Sequence, residues 1–248
     1  MADLYDRYRP GYPSEVFTRI AEYAQLEAGA PVLEVGAGTG QATIPLAGLG
    51  IRLTALEPDR AMARVLRRRA GGLSGLDIVA STFEEWPAPQ ERFRLVVSAQ
   101  AWHWVDLEIR YRKAHLVLAP QASLALIWNR PFAPDGEQPL LRAKVAAAYR
   151  ELAPDLNPAL PGERAQDRLP EIEASGLFRS LEHERRTWGV TYSAEGWLGL
   201  LRTQSDHRLL PPGQLEALLR RLRAALEEAG GSMPTTYENH LYLGRRND

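Results

Sequence analysis

The chain has 248 residues, a formal net charge of −1, and 25% charged against 45% hydrophobic residues, which excludes a disordered chain and a polybasic nucleic-acid binder. It has no cysteine, which excludes disulfides, thiolate zinc sites and a cysteine nucleophile. It holds no run of 18 apolar residues, and its start, MADLYDRYRPGYPSEV, lacks a signal-peptide core, so no membrane contact and a cytoplasmic location are expected.

Residues 1–13, with Tyr5, Tyr8, Arg9, Pro10, Tyr12 and Pro13, read as an aromatic, turn-rich arm, whose Tyr5, Tyr8, Arg9 and Tyr12 fit a cap over a ligand and surface packing alike. Ser14 is placed to cap a helix whose apolar face is Val16, Phe17, Ile20, Tyr23 and Ala24, with Gly29 ending it. Residues 31–35 form a short buried strand that runs into glycines, and a helix follows over 41–48. A second strand spans 52–57 and a helix 59–70. Strands three to five fall at 76–80, 93–98 and 123–128. A helix over 107–118 and the turn Ala119-Pro120-Gln121 precede the fifth. This alternation predicts a Rossmann-like α/β fold, a mostly parallel sheet with helices on both faces.

Beyond Asn129 the rhythm breaks. Helices are expected over 137–152, 169–175, 194–201 and 214–229, a Pro- and charge-rich loop over 154–168, and strands over 177–191 and 235–244. No repeat or linker marks a second domain. The expected organisation is a single domain, 1–248, with a cofactor-binding core over about 14–130. Helical lid insertions fill about 130–175 and 193–231, and the remaining core strands about 177–192 and 234–245.

The sharpest motif is Val32-Leu33-Glu34-Val35-Gly36-Ala37-Gly38-Thr39-Gly40, leading from a strand into a helix. Glycines there let backbone approach a ligand, and Glu57, ending the next strand, is placed to accept from both hydroxyls of a ribose. A dinucleotide fingerprint needs glycine at position 41, which is Gln41, and a carboxylate at Glu34 is unusual beside a pyrophosphate. Glu34 suits an ammonium instead. S-adenosylmethionine (SAM) carries that ammonium, a ribose and no phosphate, and is favoured over NAD.

VLEVGAGTG, TALEP, ASTFEEWP, FRLVVSAQAWHWVD and HLVLAPQASLALIWN together resemble the class I SAM-dependent methyltransferases over about residues 30–130. YDRYRPGYP, SAQAWHWVD and LLRTQSDHRLL are similar to the type 11 subgroup, which includes trans-aconitate-methyltransferase-like proteins. The resemblance implies a seven-stranded sheet with an antiparallel final strand. It also implies SAM as methyl donor, with S-adenosylhomocysteine as product and no metal. Gly36, Ala37, Gly38 and Gly40 would line the methionine end, Glu34 would sit near the ammonium, and Glu57 would hold the ribose. Thr82 and Phe83 would bracket the adenine, although many relatives carry Asp where this chain has Thr82, and Ser98 would close the cofactor site from the fourth strand.

Gln100-Ala101-Trp102-His103-Trp104-Val105-Asp106 falls at the carboxyl edge of the fourth strand, where open α/β sheets bind ligands. Trp102 and Trp104 suit an acceptor wall or a face for the sulfonium, or are ordinary core. His103 is the candidate general base, although alignment supplies much of the rate of methyl transfer and a structural histidine tied to Asp106 or backbone is the favoured reading. Tyr12, Asn129 and Arg130 complete the candidate acceptor pocket, with arginine favouring a carboxylate. The Pro-Pro-aromatic motif of base-methylating relatives is absent after strand four, and Arg67-Arg68-Arg69 reads as a solvated face. The expected acceptor is therefore a small molecule, with a carboxylate or hydroxyl, and not a nucleic acid. A SAM-binding module without transferase activity and an NAD-dependent oxidoreductase stay open as alternatives.

Overall fold

The computed structural model describes residues 1–88, 92–132, 138–156 and 167–248. Residue 137, at the expected start of a helix, and most of the expected loop over 154–168 lie outside them. The strands are β1 (Pro31–Val35), β2 (Arg52–Leu56), β3 (Leu76–Val79), β4 (Phe93–Ala99), β5 (Leu118–Phe132), β6 (Phe178–Ser193) and β7 (Ser232–Arg246). They form one sheet in the order β3-β2-β1-β4-β5-β7-β6. β7 runs antiparallel between β5 and β6, and all pairings on the other side of β5 are parallel. This is the Rossmann-like class I methyltransferase sheet. Chain direction around the sheet reverses between β1 and β4, which opens a crevice at their carboxyl ends.

Apolar residues on alternate strand positions bury the two faces separately. Helices α2 (Ser14–Ala24), α3 (Thr43–Ala47) and α4 (Arg60–Arg69) cover one face, through Phe17, Ile20, Leu46 and Leu66. On the other, α5 (Leu107–Val117) and α7 (Leu169–Ala174) pack with Leu33, Leu126 and Tyr242. A third cluster joins α6 (Pro139–Leu152), α8 (Ala194–Arg202) and α9 (Pro212–Glu228) into a helical lid. α7 falls within the expected insertion but belongs to the sheet, because Ile172 is buried in that second face.

Several sequence expectations are corrected. The arm is helical: α1 (Ala2–Tyr8) is tied to α4 by Arg68–Asp3 and Arg69–Asp6 and to α8 by Arg7–Glu195 and the Tyr8 hydroxyl on Glu195. The Tyr8 ring rests on Gly199, where an added Cβ would meet it at 2.5 Å. Pro13, not Ser14, precedes the first turn of α2, and that helix ends at left-handed Gln25, before Gly29. The turn at Ala119-Pro120-Gln121 is a bulge inside a longer β5, with Gln121 at φ 59°. β6 and β7 run past their expected ends because they pair from Phe178↔Arg246 to Ser193↔Ser232.

Trp102 and Trp104 sit on a single 3-10 turn, Trp102–Trp104, and have opposite fates. Trp102 is 1% exposed and packs against Phe83 and Tyr111 at ring-centroid distances of 6.0 and 5.7 Å, whereas Trp104 is 72% exposed. Trp102→Ala is expected to cost about 3–5 kcal/mol of unfolding free energy by leaving a cavity, and Trp104→Ala under about 0.5. Urea denaturation of the two variants beside wild type measures both.

Candidate functional site

The crevice holds a cavity of about 560 Å³. Its floor is the β1–α3 turn. Gly36 and Ala37 both donate their N–H to the Leu56 carbonyl, at 3.0 and 2.9 Å, which staples this turn to β2. Gly36 has φ 76°, and an added Cβ would fall 2.2 Å from the Ala101 Cβ, so only glycine lets the turn and the β4 exit meet. Gly38 faces the cavity instead, at φ 59°, with the Tyr5 ring its nearest neighbour at 3.9 Å from an ideal Cβ.

Glu57 braces this turn. Its Oε2 accepts from the Gly38 N–H at 2.7 Å and its Oε1 from the Asp59 N–H at 2.8 Å. At 6% exposure, burial raises its pKa, and those two donors oppose the rise. Each oxygen accepts one backbone N–H and keeps capacity for another donor, and Glu57 lines the cavity. Thr82, Phe83 and Glu84 form the next wall. The Thr82 hydroxyl accepts from the Glu85 N–H at 3.1 Å and so shapes its own turn. Phe83 lies between this wall and Trp102.

Several predicted residues lie outside the cavity. Ser98 is fully buried and donates to the Val35 carbonyl at 2.8 Å, so it joins β4 to β1 rather than touching a ligand. Ala37 is buried, and Gly40 is pressed toward Leu66 of α4; neither lines the cavity. Trp102 is core, as above.

Glu34 stands one layer behind the turn, 1% exposed, with Oε2 lacking any hydrogen-bond partner among the described residues. Burial, aided by nearby Glu57, pushes its pKa from 4.5 to about 7. His103 and Trp104 line the outer edge, with their rings 5.0 Å apart. His103 reaches solvent, yet surrounding protein and the cations Arg168, Arg110 and Arg130 hold its pKa below the ordinary imidazole value. It makes no hydrogen bond among the described residues. No hydrogen bond joins it to Asp106, whose carboxylate accepts from the Glu108 N–H at the start of α5.

The roof comes from α1 and the lid. Tyr5 and Arg9 reach over the cavity, and Arg9 donates from Nε and Nη2 to the hydroxyl and carbonyl of Thr203, each at 2.9 Å. The Arg9 guanidinium lies 5.0 Å over the Tyr5 ring, and no carboxylate pairs with it among the described residues.

A second cavity of about 310 Å³ adjoins the first, sharing Tyr5, Arg9, Gln100 and Ser205. Tyr12 lines it, as expected, set edge-on to Phe17, with its pKa driven far up by burial and by Tyr5 and Glu34. Asn129 also lines it, but its amide is occupied: Nδ2 donates to the Gly11 carbonyl and Oδ1 accepts from Asn239, both at 2.8 Å. Arg130 lines neither cavity. Strand alternation sends it to the opposite face of β5, near Arg168 and Tyr242.

Sequence reasoning missed Gln100. This residue holds φ 58°, a left-handed conformation that costs a non-glycine residue about 1–3 kcal/mol and is concentrated at functional sites. Its Nε2 donates to the Asn129 carbonyl at 2.7 Å, which holds it at the border of both cavities. No sequence signal marks a glutamine for such a role.

The sheet order, the crevice between β1 and β4, and a braced carboxylate beside a glycine turn are those of the class I methyltransferase fold. Residues 32–121 match the family model described as a methyltransferase domain. It is 36% identical over 125 residues to an uncharacterized methyltransferase of Mycobacterium bovis, covering 50% of this chain and 49% of that protein. An uncharacterized methyltransferase-like protein of Schizosaccharomyces pombe is 29% identical over 153 residues, 60% of this chain and 57% of that one. The chain thus spans about half the length of the curated relatives it matches. In fold it is similar to a protein of Anaeromyxobacter dehalogenans described provisionally as a type II methyltransferase, with TM-score 0.67, 24% identity, and 96% and 98% of the two chains covered. It is also similar to phosphoethanolamine N-methyltransferase 2 of Haemonchus contortus solved with S-adenosyl-L-methionine, with TM-score 0.57, 12% identity, and 99% and 55% covered.

The Glu34 carboxyl generates a stability prediction. Its folded-state pKa lies above the unfolded value, so the folded state binds the extra proton and stability falls as pH rises from 4.5 to about 7. The rise corresponds to about 3 kcal/mol at the upper end. Glu34→Gln is therefore expected to melt higher than wild type at pH 8 in the absence of ligand, and about level with it at pH 4.5. Paired thermal melts at the two pH values check the sign.

Proposed function

We propose that this chain moves a methyl group from SAM to a small molecule, with SAM in the first cavity and the acceptor in the second. The observation that carries this reading is the Glu57 brace, a buried carboxylate fixed by two backbone donors and still facing the cavity. A ribose diol fits its free lone pairs, and Thr82 and Phe83 flank the place of the adenine. The amino-acid end then points toward Gly38 and Tyr5. There the Arg9 guanidinium suits its carboxylate, and Glu34, buried behind the turn, supplies negative potential for its ammonium once ionised. When bound, SAM supplies an electrophilic methyl on a sulfonium, and the aromatic edge at His103 and Trp104 suits such a cation.

A small acceptor is favoured over nucleic acid by the size of the second cavity and by the net charge of −1, which gives no field for a polyanion. The expectation of a carboxylate acceptor loses its support, since Arg130 faces away from both cavities.

Calorimetry is expected to show SAM and S-adenosylhomocysteine bound and NAD not bound. Glu57→Ala should weaken S-adenosylhomocysteine by about 1.5–3 kcal/mol, the scale of hydrogen bonds to a charged group, and Gly38→Val by at least as much. Folded variants that bind like wild type would place the cofactor elsewhere. Arg9→Met should weaken S-adenosylhomocysteine at least ten-fold while leaving methylthioadenosine, which lacks the amino-acid end, unchanged.

A further inference from the structure

We propose that the second cavity takes a small amine as methyl acceptor, held as its ammonium ion by Asp206; the proposal rests on the reading of the first cavity as the SAM site. Asp206 is the one carboxylate among the described residues lining the second cavity. Its Oδ1 accepts from the His207 N–H at 2.7 Å and lies 2.8 Å from His207 Nδ1. The other imidazole nitrogen, Nε2, is 2.7 Å from the Tyr149 hydroxyl. Both His207 and Tyr149 are buried in the lid. Tyr149 and Asp206 thus take the two ring nitrogens of His207 between them, which fixes the plane of the imidazole. The chain Tyr149–His207–Asp206 thereby fixes the carboxylate, while Oδ2 makes no hydrogen bond among the described residues.

That carboxylate is held ionised, with its pKa lowered chiefly by the His207 hydrogen bond. A weakly basic carboxylate is a poor general base for an alcohol, repels a carboxylate acceptor, and attracts a cation. Tyr5, Tyr12 and Tyr237 line the same cavity and give it an aromatic wall beside the carboxylate. The one cation among the described lining residues, Arg9, also borders the first cavity, where the cofactor's carboxylate would neutralise it. In the transfer, the amine first releases one proton to solvent. Its nitrogen lone pair then forms the N–C bond as the C–S bond breaks with its electron pair left on sulfur. Positive charge leaves sulfur and arrives on nitrogen, the change a fixed carboxylate at the nitrogen favours.

Benzylamine and benzoate, close in size and opposite in charge, are the probes. Titrated at pH 7 into wild type saturated with S-adenosylhomocysteine, benzylamine is expected to bind at least ten-fold tighter than benzoate. Asp206→Asn should abolish that preference with S-adenosylhomocysteine affinity held within two-fold, and Asp206→Glu should restore it in part. Asp206→Ser, whose hydroxyl can still accept from the His207 N–H, replaces the asparagine variant should that fail to fold. Equal or tighter binding of benzoate, no binding of either probe, or an undiminished preference without the carboxylate overturns the proposal. Wild type that fails to bind S-adenosylhomocysteine overturns the cofactor reading instead.

Discussion

The two hydrogen bonds that Glu57 accepts from Gly38 and Asp59 join three parts of the molecule at one carboxylate. The glycine turn after β1, the exit of β2 and the start of α4 are held in register by it. The Asp59 side chain continues the arrangement by accepting from the Ala61 and Met62 N–H groups at the α4 N-terminus. Without this brace, a turn with three residues at positive φ would be tied to β2 through its two bonds to the Leu56 carbonyl. The cavity floor depends on the same acid that faces its contents. The order of the turn and the shape of the cavity are therefore not separable at Glu57.

The roof is made differently. α1 has only seven residues, below the length at which a helix is stable alone, so its order is borrowed from α4 and α8. Several of the ties are exposed ion pairs, worth about 0–1 kcal/mol each and weakened by salt. A floor built on buried backbone bonds and a roof built on surface charges differ in how easily they part. That difference suits a site whose ligand must enter past the roof.

Much of the core was legible because its signals are local. Strand, glycine turn and helix follow one another within about fifteen residues, and the acid ending β2 lies where the next strand must end. What could not be read turns on tertiary contact. Trp102 and Trp104 are two residues apart on a 3-10 turn, and only the packing of α5 and Phe83 decides which is core. Asn129 and Arg130 looked equivalent until pairing with β7 fixed which face each takes. The arm read as turns because Pro10 and Pro13 dominate its local propensity, while its helix lies just before them. β6 is polar enough to hide its length, and register with β7 supplies what hydrophobic periodicity did not.

Arg9 and Gln100 each border both cavities, and neither position is relaxed. Arg9 is pinned to the lid through Thr203, and Gln100 is held in a left-handed conformation by the Asn129 carbonyl. A wall common to two compartments presents the same two side chains to whatever fills either one. Whatever the filling of one does to affinity in the other must be returned in equal measure. Order of addition then becomes a property of two side chains rather than of the distance between sites. The partition between the compartments is itself the channel by which they communicate.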